Sequence, residues 1–333
     1  MPQYPLLKHA HLDDSLSLRA VQWDDLEAVV QLIYDVCEAD GDTSVAVTAD
    51  DLKNEWEYEG FDPQQDAFVV EVRAGFPRAG QVVGYVSIDN MKGHYDLRGD
   101  LYIHPASKWL GIGEALLHEM ETRARDHVPL APLDKRVFIR AALDQKDETG
   151  KAIFIDQGYS PIRYYWRMEV KLDDAPPTPS LPAGLVFRPF VKDAHAEAVW
   201  EARNEAFADH WGSHALTYKE FADHNFDNPE YDPELWSVIW DDQEAAAFSI
   251  NHFKMGIGWV HTLGVRRAWR KKGLGLSLLQ HAFGLFYQRG MMTIGLTVDA
   301  SNPTGATELY MKAGMHVVSE FVAMEKELRA GGK

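Results

Sequence analysis

Two glycine pairs in this chain, Gly111-Ile112-Gly113 and Gly273-Leu274-Gly275, lie 162 positions apart, and so do two apolar segments, Gly84-Tyr85-Val86-Ser87-Ile88 and Ala246-Ala247-Phe248-Ser249-Ile250. A constant offset across separated pieces marks an internal duplication, here of about 150 residues per copy. Leu16-Ser17-Leu18-Arg19 opens the first copy and Leu185-Val186-Phe187-Arg188-Pro189 the second, each followed by a helical pattern. Near the ends, Gln157-Gly158-Tyr159 matches Ala313-Gly314-Met315. The 333 residues are too many for one typical domain and suit two.

The seam falls at residues 173–184, where four prolines in a polar stretch cannot continue a helix or a central strand. An N-terminal domain over 1–172, a stiff linker over 173–184 and a C-terminal domain over 185–333 are expected. Each copy reads strand, helices, strands, glycine turn, helix, strand, helix, strand. Leu276 to Tyr287 has helical apolar spacing, Met292 to Val298 reads as a buried strand, and Gly314 caps a helix before short strands at Val317–Val318 and Phe321–Met324. The pattern is α/β (α+β) with a mixed sheet.

Composition narrows the function classes. No apolar run reaches the ~18–20 residues of a membrane span. Met1-Pro2-Gln3-Tyr4-Pro5 does not open a signal peptide, and Cys37 is the only cysteine, so a cytoplasmic protein without an intrachain disulfide is expected. A net charge of -18 argues against nucleic-acid binding. It reads first as a merely soluble acidic surface and is compatible with a cationic acceptor such as an amine.

Against that acidity, Arg266, Arg267, Arg270, Lys271 and Lys272 place five positive charges in seven residues, between a strand ending at Val265 and the glycines that open a helix. Glycine lets a backbone approach an anion closely, and a helix N-terminus presents free N–H groups to it. A phosphate-bearing ligand follows. The segment lacks the Gly-Lys-Ser/Thr of a Walker loop and the third glycine of a dinucleotide fingerprint. A protein that merely binds or senses an acyl-CoA, or one that binds a nucleotide through this turn, remains open on these residues alone.

Arg270-Lys271-Lys272-Gly273-Leu274-Gly275 resembles the acetyl-CoA motif of the Gcn5-related N-acetyltransferases, Arg/Gln-x-x-Gly-x-Gly/Ala after a strand. Asn302, after the next strand, and Tyr310-Met311-Lys312-Ala313-Gly314 resemble the family's downstream pattern. The resemblance implies two tandem domains, each a mixed, mainly antiparallel twisted sheet flanked by helices. It implies that the backbone from Lys271 to Gly275 cradles the coenzyme A pyrophosphate, that Leu263 and Val265 pair with the pantetheine arm, and that Asn302 holds that arm. Tyr310 would protonate the departing thiolate. Acetyl-CoA is the implied cosubstrate, with no metal. A small-molecule amine is the implied acceptor, and the protein would act as a monomer or homodimer.

The first copy departs from this pattern. Ile103, Lys108, Gly111, Ile112 and Gly113 keep the turn as a possible second cofactor site, but aligning Gly158 with Gly314 puts Phe154 at the place of Tyr310 and Lys146 at that of Asn302. Phenylalanine cannot give a proton, so the first copy is expected to be inactive. In the second, Trp259, His261 and Leu263 share a strand face by alternation, which makes His261 the candidate base. Asp209, His210 and Trp211 follow the first helix of that copy and are candidate acceptor-pocket residues for a cationic amine. In layout the chain also resembles the tandem acetyltransferases of the mycothiol synthase type. These carry a glutamate where Trp259 stands, which implies a different acceptor, a different base or a water-mediated path.

Overall fold

Alternating burial and capped helices build the same series of elements twice. In a computed structural model, residues 11–43, 46–210, 214–226, 231–254, 256–302 and 304–332 are described. The first series is β1 (Leu16–Ala20), α1 (Leu26–Asp40), α2 (Ala49–Trp56), α3 (Pro63–Asp66), β2 (Ala67–Val72), β3 (Val82–Lys92), β4 (Asp96–Ile103), α4 (Ile112–His127), β5 (Val137–Asp144), α5 (Glu148–Asp156) and β6 (Ser160–Lys171). The second is β7 (Leu185–Pro189), α6 (Lys192–Phe207), α7 (Tyr218–Phe226), β8 (Ser237–Asp241), β9 (Glu244–Lys254), β10 (Ile257–Val265), α8 (Leu274–Gln288), β11 (Thr293–Asp299), α9 (Ala306–Lys312) and β12 (His316–Arg329).

Two compact units result: residues up to Tyr164 together with Phe321 onward, and Tyr165 to Glu320. In the first, antiparallel pairs join β1 to β2, β2 to β3 and β3 to β4, while β4 and β5 run parallel. The last strand of this sheet is the C-terminal part of β12, antiparallel to β5. The second unit repeats the order with β7, β8, β9, β10 and β11, and its last strand is the C-terminal part of β6. Each unit therefore takes its final strand from the other copy of the repeat. The short strands expected at 317–318 and 321–324 are parts of one long strand, β12, because the ladder to β5 continues to Arg329.

Helices cover both faces of each sheet. In α8, Leu274, Leu278, Leu279, Ala282, Phe283 and Phe286 are buried at helical spacing. Burying such side chains stabilises by roughly 1.5–3 kcal/mol each. The helix seats closely because Gly258 has no side chain: a Cβ there would lie 2.7 Å from the Phe286 ring. On the opposite face, Gly264 of β10 admits Phe248 and Ala206, where a Cβ would meet them at 2.6 and 3.1 Å. That fit brings the end of α6 beside the basic turn. No helix among the described residues is long and apolar enough to cross a membrane.

Candidate active site

The second unit opens a slot in its own sheet. β10 pairs with β11 only at Gly258 and Trp259, whereas β11 stays paired with β6 as far as Asp299. From Val260 to Val265, β10 thus leaves its β11-facing edge unpaired, with main-chain groups available to another extended chain. A β-bulge lies at the start of this stretch: Val260 faces Asn251 and Thr262 faces Ile250, so His261 is the extra residue. The bulge breaks the simple alternation expected from sequence, and Trp259 and Leu263 fall on opposite faces.

The glycine turn follows the slot. Gly273 is the N-cap of α8 at φ +83°, and a side chain there would meet nothing within 4 Å. Lys271 is also left-handed, at φ 61°, a conformation that costs an L-residue roughly 1–2 kcal/mol. The first N–H groups of α8 have no carbonyl one turn back. The space beside Gly273 in front of them is open. Lys271 and Lys272 are exposed and join no ion pair among the described residues.

The three arginines are engaged in holding the turn. Arg266 Nε bonds Glu205 at 2.6 Å, and the Arg267 amide bonds the same carboxylate at 3.0 Å. Burial alone would raise the pKa of Glu205, but these two donors outweigh it and lower it. Arg270 donates to the carbonyls of Val265 (3.2 Å) and Ala206 (3.0 Å). Asp209 meets Arg267 at 2.7 Å and Arg270 at 3.8 Å. The structure thus brings Asp209 to the basic turn as a brace, with its carboxylate already committed. His210 packs on Phe207 at 4.5 Å. Burial and then Arg270 lower its pKa, against an opposing pull from Asp299. Trp211 lies outside the described residues.

Tyr310 sits on α9, buried among Met168, Val298 and Met315. Burial pushes its phenol up to about 12, so it stays protonated at neutral pH. No hydrogen bond among the described residues uses its hydroxyl. Gly275 sets the depth of this helix: a Cβ there would lie 2.8 Å from Leu309 Cδ2. The turn and the tyrosine are therefore mechanically linked. Asn302 accepts from the Thr304 amide (2.8 Å) and hydroxyl (2.6 Å), which uses its carbonyl oxygen and leaves its amide N–H groups.

His261 opens to solvent, yet protein crowds around it. That burial, with Lys254 and His224, lowers its pKa. It is therefore the neutral imidazole that predominates at pH 7. Its ring lies 5.3 Å from that of His252. Burial, then His261 and Lys254, lowers His252 to about 3. His252 escaped the sequence reading, since only the strand register places it beside the bulge.

The first unit splays over a shorter stretch and has no bulge there: β4 is parallel-paired with β5 through Gly99, which leaves that edge unpaired from Asp100 to Ile103, and its ladder with β3 runs unbroken from Ile103 to Leu97. Gly113 is closed in by side chains, since a Cβ there would lie 3.0 Å from Ile153 Cδ1 and 3.3 Å from Ile103 Cδ1, and Ile112 is buried. Gly111 keeps a left-handed φ of +74°, but its cradle is filled, and a Cβ would lie 2.6 Å from the His11 carbonyl oxygen. Asp13 then donates to the Leu110 carbonyl at 3.1 Å. Lys108 is half-buried beside this covered turn. Phe154, at the place of Tyr310, stacks edge-on against Tyr159 at 4.8 Å.

Comparison with known proteins agrees with this geometry. Residues 196–315 match the model of the acetyltransferase (GNAT) family. A mycothiol acetyltransferase of Salinispora arenicola is 31% identical over 268 residues, covering 76% of this chain and 80% of that protein. The chain belongs to the GNAT acetyltransferase family. A GCN5-related N-acetyltransferase structure from Sphaerobacter thermophilus superposes with a TM-score of 0.82 at 32% identity, covering 97% of this chain and 98% of that one. A tandem GNAT protein from the clavulanic acid biosynthesis pathway shares the fold at TM-score 0.69 and 17% identity, covering 95% and 100%. As a GNAT protein the chain is an acetyl-CoA-dependent N-acyltransferase with a small-molecule acceptor. The open glycine cradle and the free edge of β10 fit that cosubstrate.

Proposed function

We propose that acetyl transfer takes place in the second unit alone, to a primary amine of a small molecule. The observation that carries this reading is the asymmetry of the two copies. The bulge, the open cradle and a phenol occur together beside the slot of the second, while in the first the strand has no bulge, the cradle is filled and Phe154 replaces the phenol.

Acetyl-CoA, when bound, supplies the activated thioester. The chain's own groups do the rest. The N–H groups from Lys271 to Gly275, with Lys271 and Lys272, would hold the pyrophosphate. The edge of β10 from Leu263 to Val265 and the Asn302 amide would orient the pantetheine arm. His261, neutral at pH 7, would accept the proton of the incoming ammonium, which must be lost before nitrogen can attack. Tyr310 would donate to the sulfur as negative charge gathers there. Positioning in the slot supplies much of the rate, and a general base adds roughly 10²–10⁴-fold.

An acceptor akin to that of the mycothiol acetyltransferases is supported by the 31% identical relative. Trp259, in place of the glutamate of the resembled enzymes, favours a different amine. Coenzyme A release measured over a panel of amines, the mycothiol precursor among them, tests both. Turnover with an amine is expected. Acetyl-CoA binding without turnover on any amine would overturn the reading.

A further inference from the structure

One arginine on the helix beside the slot carries a charge that no side chain answers. Arg203 lies on α6 and is half-buried. Glu205, two residues on, points to nearly the opposite side of the helix. There Glu205 and Asp209 are taken by Arg266 and Arg267. Arg203 joins no ion pair among the described residues. Both of its hydrogen bonds leave from Nη1, one to the Asn204 side-chain oxygen at 3.2 Å and one to the His214 carbonyl at 3.0 Å. Its Nε and Nη2 donate to no group among the described residues. These two nitrogens form the edge of a guanidinium that grips a carboxylate by two parallel bonds. Burial lowers the pKa of Arg203, and no carboxylate opposes it. With 51 Asp and Glu against 33 Lys and Arg in the chain, acids are plentiful, yet none meets this arginine.

The guanidinium is held in place by its surroundings. Trp200 Nε1 donates to the Leu216 carbonyl at 2.7 Å, and Asn204 exchanges two bonds with the Leu216 backbone at 2.9 and 3.0 Å. The segment that receives Nη1 is thereby pinned to α6. The Phe207 ring, one turn on, lies 5.5 Å from Arg203 Cζ. One nitrogen and one side of the group are engaged, and the Nε–Nη2 edge is left for a ligand.

The two faces of the sheet relate Arg203 to the slot. Gly258 of β10 meets Phe286 of α8, so the next residue, Trp259, points to the other face, the one that α6 covers at Gly264. His252 stands opposite Trp259 and shares that face, and its ring meets His261. The candidate base thus lies on the α6 face. Tyr310 packs with Leu279, Phe283 and Phe286 of α8 on the other. From Arg203, Phe207 and then His210 follow α6 toward the basic turn. Burial and Arg270 lower the pKa of His210, and Asp299, the last residue of β11, opposes them. The line from Arg203 therefore ends where β10 and β11 have parted. An acceptor that approaches His261 from this face passes along α6.

We propose that Arg203 binds a carboxylate of the acceptor through its Nε–Nη2 edge, so that the substrate is a small amino acid, one end held by Arg203 and its amine directed to His261. The proposal names the substrate class for the transfer site of the second unit and rests on that site acetylating an amine. Arg203 sets specificity. The carboxylate keeps its charge throughout the reaction, so Arg203 holds substrate and transition state alike and acts on KM rather than kcat.

The test is coenzyme A release from acetyl-CoA with the common L-α-amino acids and the straight-chain amino acids from glycine to 6-aminohexanoate, each set against its amide, which keeps the amine and lacks the charge. The best amino acid should exceed its amide by about 10-fold or more in kcat/KM. In Arg203→Gln its KM should rise by about 10-fold or more with kcat little changed, and its advantage over the amide should shrink to within about threefold. Arg203→Lys keeps the charge without the fork and should fall between the two. Amides turned over as well as amino acids would overturn the proposal and leave the second unit an amine acetyltransferase. So would a KM in Arg203→Gln within about threefold of wild type, or a loss shared equally by amino acid and amide, which marks a structural role. No turnover with any amine would overturn the reading of the site itself, and the proposal with it.

Discussion

Replacing Tyr310 with phenylalanine isolates the phenol. The ring stays in its apolar site among Met168, Val298 and Met315. The hydroxyl has no hydrogen bond among the described residues to lose, so stability should change by less than about 1 kcal/mol. The effect on rate can be bounded from the pKa. The phenol lies at about 12, whereas a thiol ordinarily titrates near 8.5. Full transfer of the proton to a free thiolate would be uphill by about 3.5 pKa units, or about 5 kcal/mol. Tyr310 therefore helps chiefly as a hydrogen-bond donor to charge building on sulfur, completing the transfer only as the reaction supplies a second proton. One hydrogen bond to a charged group contributes about 1.5–3 kcal/mol. Turnover of Tyr310→Phe should thus fall by roughly 10–10²-fold, at the low end of general acid catalysis. The assay is coenzyme A release under saturating substrates, alongside calorimetric acetyl-CoA binding, which should be unchanged. A turnover within about threefold of wild type would remove the phenol from the mechanism, and a loss above about 10⁴-fold would mean its pKa drops when the site is filled.

Other perturbations separate the remaining roles. His261 must be neutral to act as a base, and its pKa is depressed. The acid limb of kcat/KM should therefore lie below about pH 6.5, the ordinary histidine value, and should vanish in His261→Gln. His252 at about 3 is neutral throughout that range and cannot substitute as the source of the limb. Asp209→Asn should leave the amine KM unchanged, because its carboxylate is held by Arg267; a tenfold or greater rise would restore it to the acceptor pocket. Gly111→Ala should lower the melting temperature more than Gly273→Ala. Both adopt a left-handed φ, but only the first forces a Cβ to within 2.6 Å of a backbone oxygen.

Much of this was legible in the amino-acid sequence because it depends on local chemistry. Glycines that must reach φ +74° and +83° mark both turns, and Phe154 against Tyr310 tells the copies apart without coordinates. What could not be read depends on register and on long-range pairing. The bulge at His261 exists only relative to Asn251 and Ile250. The exchange of final strands requires β12 to find β5 across the length of the chain. Asp209 looked like a free carboxylate for an amine, and only the close fit of α6 against Gly264 brings it to Arg267. The segment over Gly111 gave no signal, since His11 and Asp13 act there through backbone groups, which any residue has.

Everything proposed for the transfer reaction rests on one acetyl-CoA site per chain, in the second copy. Calorimetric titration of the full chain with acetyl-CoA counts the sites. A stoichiometry of one is expected, falling to zero in Gly273→Glu, which fills the cradle with a negative side chain, and remaining one in Lys108→Glu. Two sites in the wild type, or one site surviving in Gly273→Glu, would contradict it.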